Sequence, residues 1–167
     1  MSPVYEASVP RFANILRNLA AILDKAQAHV EAKKIDPLAL TQARLFPDMF
    51  TLARQVQTAC DSAKGAVARL AGVEIPKHED TEQTFPELKA RVAKTLDFIE
   101  SVPKAKFEGA ESREVTLKFR GQDTKFGALQ YLFGFAYPNF YFHVATAYGI
   151  LRHNGVELGK RDYIGNP

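Results

Sequence analysis

The sequence predicts a mainly α-helical protein, an up-down bundle of four long helices with a small β-hairpin between the third and the fourth. Three observations carry that prediction. Apolar residues recur at three- and four-residue steps through most of the 167 residues, prolines and glycines fall mostly between those stretches, and only the segment from Arg113 to Phe126 changes to a two-residue period. With 46% hydrophobic and 25% charged residues and no internal repeat, the expected organisation is one compact domain spanning residues 1–167.

The first helix runs from about Val4 to Lys34 on the stripe Phe12, Ile15, Leu16, Leu19, Ile22, Leu23 and Val30. Pro10 lies within it and predicts a kink or a restart, because proline has no N–H to give the preceding turn. Asp36 and Pro37 read as a cap and a first helical residue, opening a short helical turn that Phe46-Pro47-Asp48 interrupts. The second long helix extends from Asp48 to Leu70 through Met49, Leu52, Val56, Cys60, Ala63 and Val67, with Gly72 placed to end it in a left-handed conformation. Residues 73–83 are polar and proline-broken, hence a loop. Thr84 and Glu87 have the spacing of a capping box ahead of Leu88, Val92, Leu96 and Ile99, the third helix, which ends near Pro103. Val115, Leu117 and Phe119 then alternate with Thr116, Lys118 and Arg120, and Gly121-Gln122-Asp123 offers the turn of a hairpin. The fourth long helix spans about Gly127 to His153, closed by Asn154-Gly155.

That last helix is unusual in composition. Nine of the eighteen aromatic residues lie between Phe126 and Tyr148, and no charged residue occurs from Phe126 to Leu151. About 20 apolar residues suffice to span a bilayer, but Gln130, Pro138, Asn139, His143 and Thr146 argue against it, and no membrane partner is expected. A helix buried on most sides, one face in the bundle and another against the hairpin or a second subunit, accounts for the composition and makes a homodimer the expected assembly. On a helical wheel centred on Phe140, the residues Phe133, Ala136, His143, Val144, Ala147 and Leu151 share one face, so His143 points to the core with Asn139 one turn before it at the edge of that face.

Net charge is +3 with both signs interspersed, there is no basic arm, and the tyrosines of the aromatic helix have no basic neighbours, so nucleic acid is not an expected partner. Cys60 is the single cysteine, which excludes an internal disulfide and a cysteine-rich zinc site; its place in an apolar stripe reads as a small buried hydrophobe with a raised pKa. The N-terminal residues show no basic region followed by an apolar run, so the expected location is the cytoplasm. Neither a glycine-rich phosphate loop nor a Gly-x-Ser-x-Gly turn is present. Asp61 and Lys64 read as a solvated pair, and Gly159 to Ile164 either as a segment that packs back over the bundle end or as an ordered C-terminal strap.

The string Asn139-Phe140-Tyr141-Phe142-His143, followed by Ile150-Leu151-Arg152-His153-Asn154-Gly155, resembles the end of the last helix in DinB-like (YfiT-related) bundles, where two histidines four apart precede a Leu-Arg-x-Asn-Gly close. Over nearly its whole length the chain is similar to a bacterial branch of that superfamily known as a domain of unknown function, on the segments Leu45 to Phe50, Ala59 to Lys64, Tyr137 to His143 and Gly159 to Tyr163. The resemblance implies a four-helix bundle, often dimeric, in which one histidine of the second helix and two of the last hold a divalent metal; some members use that ion for thiol-dependent transfer. Here His143 matches the second histidine of the last helix, Asn139 replaces the first, and the second helix has none. An amide oxygen is a far poorer ligand than imidazole for first-row transition ions. The expectation is therefore a degenerate site with no metal and no cofactor, a pocket lined by His143, Asn139 and Tyr141 or Gln55 that takes a small-molecule ligand. The alternative is a metal-dependent enzyme of thiol-transferase or hydrolase type using His143 with oxygen donors from the second helix, and a third reading is a dimeric interaction module.

Overall fold

The computed structural model describes residues 2–119 and 121–165; Arg120, placed in the expected hairpin, lies outside them. The long helices are α1 (Pro3–Lys33), α3 (Leu52–Ala71), α4 (Phe85–Ser101) and α6 (Tyr137–His153), with short helices α2 (Pro37–Thr41), α5 (Ala128–Tyr131) and α7 (Lys160–Ile164). Strands β1 (Glu114–Phe119) and β2 (Gln122–Gly127) pair antiparallel after two 3₁₀ turns. The helices close a ring: α1 packs on α4, α4 on α3, α3 on α6 and α6 on α1. No described helix is long and apolar enough to cross a membrane.

Chemistry local to each terminus sets most boundaries. The Asp36 carboxylate accepts from the Leu38 amide at 3.0 Å with Pro37 as the first helical residue of α2, and Gly72 ends α3 at φ +66°. At the start of α4 the Glu87 amide donates to the Thr84 hydroxyl at 3.4 Å while the Thr84 amide donates to Glu87 Oε2 at 2.9 Å, the reciprocal bonds of a capping box.

Four details differ from the sequence reading. Helix α1 runs unbroken through Pro10, which sits on the exposed side while Val4, Val9, Phe12, Ala13 and Leu16 are buried before and after it. Burial on both sides outweighs a proline penalty of about 3 kcal/mol. Helix α3 begins at Leu52, capped by Thr51, because Arg44 ties residues 44–49 into a turn by donating to the carbonyls of Pro47 and Met49. The hairpin connection is shorter than expected: Phe119 pairs with Gln122 and Lys118 with Asp123, so Gln122 and Asp123 belong to β2 and Gly121, at φ +82°, precedes them.

The fourth difference bears on the site. Between α5 and α6 the last helix carries a π turn, Leu132–Ala136, just ahead of Pro138, whose missing N–H weakens the α-helical ladder there. A wider turn changes the angular phase of everything before it. Ala136, His143, Val144, Ala147 and Leu151 are buried as the wheel placed them, but Phe133 is 53% exposed. Tyr131 and Leu132 take the inward positions instead. The tail packs back on α1, where Asn18 donates to the Tyr163 carbonyl at 3.0 Å and Lys25 meets Asp162 at 2.7 Å.

Candidate functional site

The seam between α3 and α6 brings His143 and Gln55 together. Nδ1 of His143 stands 2.7 Å from Oε1 of Gln55, and Gln55 is 1% exposed. An amide oxygen only accepts, so Nδ1 carries the proton and Nε2 keeps its lone pair. The Gln55 amide nitrogen donates to the Phe50 carbonyl at 3.4 Å, and the Phe50 ring stacks on the imidazole at 6.3 Å. Burial, and then the nearby Arg54 charge, hold the His143 pKa below its ordinary 6.5, so the ring is neutral at pH 7.

That depression has a stability consequence. A folded pKa below the unfolded value favours the native state fully above pH 6.5, and the contribution is lost as pH falls through the folded value. Urea midpoints of the wild type are therefore expected to drop between about pH 7.5 and 5.5, and His143→Gln to drop less. His78 has the same sign, through burial and the charges of Lys64, Lys94 and Arg91, so the informative quantity is the difference between variant and wild type.

Asn139 lies on the same seam one turn away, where its amide nitrogen donates to the Phe135 carbonyl at 2.8 Å. It lines a cleft of about 200 Å³ together with Thr58, Asp61, Ser62, Arg69, Tyr131, Phe135 and Ala136. The π turn shapes one wall. His143 and Gln55 meet each other but are not among the residues lining this cleft, and Tyr141 joins neither: it faces α1 and α7, beside Pro10, Arg11, Asn14, Ile15 and Ile164, in contact with Tyr137 at 5.3 Å. Burial raises its pKa.

Sequence reasoning missed the charged cluster behind the cleft. Arg91, its side chain 1% exposed, reaches Asp61 at 2.9 Å, Asp80 at 3.0 Å and Glu82 at 3.0 Å, and donates to the Glu79 carbonyl at 2.9 Å. Lys64 pairs with Asp61 at 2.8 Å but is only 5% exposed, so this is not the solvated surface pair expected. The available signal was Arg91 itself, at helical spacing within the stripe of Leu88, Val92 and Thr95 and close in sequence to Glu79, Asp80 and Glu82. Cys60 is buried beside this cluster with its thiol pushed up to about 12 by burial, the state of an inert core residue.

The three-imidazole metal centre implied by the resemblance does not fit these residues. His143 commits Nδ1 to Gln55, Asn139 commits its amide N–H to its own helix, and α3 offers amide and hydroxyl groups in place of imidazole. Among the described residues no group of three or more His, Cys, Asp or Glu side chains converges to hold an ion.

A ring of four long helices with a hairpin leading into the last, and a polar seam between the second and the last, defines a DinB-like protein. The chain matches the family described as domain of unknown function DUF1993 over residues 4–164, and it belongs to that family. It is similar to a DinB family member protein from Shewanella denitrificans, whose crystal structure extends to 1.83 Å: the two share 46% identity over 98% of this chain and 92% of that one, with a TM-score of 0.92. No curated protein matches the chain.

Proposed function

We propose that this protein binds a small molecule between the second and last long helices, at a site where the metal centre of its superfamily has been replaced by an amide-imidazole pair. The observation that carries the reading is the 2.7 Å contact of His143 Nδ1 with Gln55 Oε1, which spends an imidazole nitrogen on a partner of the second helix. Asn139, on the neighbouring turn, borders the polar cleft, while the His143–Gln55 pair stands behind it on the same seam and is not among the residues that line it. Protein purified without a histidine tag is expected to carry no more than about a tenth of an equivalent of transition metal. A near-stoichiometric ion that disappears in His143→Ala would replace this reading by that of a metal-dependent enzyme.

The same proposal includes a homodimer and residence in the cytoplasm. Leu45, Phe46, Phe50 and Phe142 are 45%, 64%, 48% and 55% exposed beside the His143 end of the seam, more large apolar side chain than a solvated helix face ordinarily presents. Light scattering at high concentration is expected to give twice the 18.6 kDa chain mass, and Phe46→Lys with Phe142→Lys to give the monomer. A wild-type monomer at every concentration removes the dimer and leaves the ligand site standing. The single, buried cysteine suits a reducing compartment.

A further inference from the structure

Resting on the reading of the α3–α6 cleft as a ligand site, the distribution of its hydrogen-bonding groups specifies a ligand class. Arg69 is half-buried, lines both this cleft and a neighbouring hollow under β1, and pairs with no carboxylate among the described residues. Its guanidinium folds back one helical turn and donates to the Tyr131 hydroxyl at 3.3 Å. The fold-back is possible because residue 65 is glycine: a Cβ there would lie 2.5 Å from Nη1 of Arg69. A guanidinium has five N–H donors in a planar fork suited to a carboxylate, and one contact with Tyr131 leaves most of them open.

The opposite end of the cleft has the reverse character. The Thr58 and Ser62 hydroxyl hydrogens are spent on the carbonyls of Arg54 and Thr58, at 2.7 and 2.8 Å, so both oxygens can only accept. Asp61 takes Lys64 and Arg91 on Oδ1, which leaves Oδ2 outside both ion pairs. Asn139 keeps its carbonyl oxygen and one N–H after bonding Phe135. One end therefore offers donors and positive charge, the other mainly acceptors and a carboxylate oxygen. Folding back brings the guanidinium to the level of residue 65, about one turn or ~6 Å along the axis from Asp61. At about 200 Å³ the cleft falls below the ~300–1,000 Å³ of sites for drug-sized ligands.

We propose that the cleft binds a small amino acid as its zwitterion, the carboxylate on Arg69 and the Tyr131 hydroxyl, the ammonium group among Thr58, Asp61, Ser62 and Asn139. Tyr131 and Arg69 bind ligand directly; Gly65 is a positioning residue that acts through Arg69.

The test is a titration followed by the backbone amide resonances of the full chain, with glycine, L-alanine, β-alanine, propionate and propylamine as probes. At least one of the three amino acids is expected to shift the amides of residues 58–62, 131 and 139 saturably, with propionate and propylamine at least about tenfold weaker. Arg69→Gln is expected to weaken the amino acid by about tenfold or more. If Arg69→Gln folds poorly, Gly65→Ala carries the same test, since alanine favours the helix while displacing the guanidinium: it should resist urea at least as well as the wild type and still bind more weakly. Equal binding of propionate or propylamine, or undiminished amino-acid binding in both variants, overturns the zwitterion assignment and leaves a small-molecule site. No shift in the cleft with any of the five probes overturns the zwitterion assignment; a cleft equally silent to a general fragment set overturns the ligand-binding reading with it.

Discussion

Arg91→Leu is expected to cost the fold about 3 kcal/mol, read as a fall in the urea midpoint at pH 7. The guanidinium is 1% exposed and is the shared partner of Asp61, Asp80 and Glu82, whose side chains are 39%, 30% and 15% exposed. Leucine restores packing but leaves three carboxylates near one another, with Lys64 and Arg54 as the cations left among them. Removing one partner of a buried pair costs about 3–5 kcal/mol, and partial solvation of the acids places this case at the lower end. The acid limb should change as well. Burial pushes the Asp80 carboxyl up, but hydrogen bonds from Arg54 and Arg91 more than offset it and hold the pKa below its ordinary 3.8. A depressed carboxylate contributes stability above its unfolded pKa, and that contribution is lost as pH falls through the folded value. The wild type should therefore lose stability steeply below about pH 4, and Arg91→Leu should lose less over the same interval. The loop at residues 73–83 should become a preferred site of proteolysis, since Asp80, Glu82 and the Glu79 carbonyl are tied to α4 through this one side chain.

The same cluster shows where the sequence was legible and where it was not. Gly72, Thr84 with Glu87, and Asp36 with Pro37 act within one turn of themselves, so the helices they bound could be read directly. Lys64 could not. Its spacing from Asp61 is that of a solvated pair, yet its side chain is 5% exposed and shares Asp61 with Arg91, a residue of another helix that no spacing within α3 reveals. The last helix divides in a similar way. A wheel at 100° per residue holds from Ala136 onward and turns His143 toward the core, where the structure adds Gln55 of the second helix as its partner. It fails at Phe133 because the π turn changes the phase, and Pro138 was the only mark of it in the sequence. Tyr141, expected beside His143, lies elsewhere. One residue past Phe140 it follows α6 around to α1, and no pattern within a single helix identifies which neighbour lies on that side.

Phe140→Ala is expected to be the most destabilising change in the hydrophobic core, by about 3–5 kcal/mol. The ring is fully buried and meets Phe12 of α1 edge-on at 4.9 Å and Tyr141 at 5.4 Å. It is the main aromatic bridge from α6 to the first helix, with Tyr137 beside it against the same Phe12 at 5.5 Å. Alanine would leave a cavity that helices held in a ring cannot easily collapse into, so the transfer and cavity costs add. Phe140→Leu should lose clearly less, because most of the volume remains. The seam with α3 carries the His143–Gln55 contact, in which Phe140 takes no part. At a temperature where Phe140→Ala remains folded, its amide resonances around residues 58–62 and Asn139 should therefore respond to added amino acid as in the wild type, while its urea midpoint falls. A variant that loses both together would mean that the first helix holds the cleft open, and that the stability of the core and the shape of the site are one property of α6.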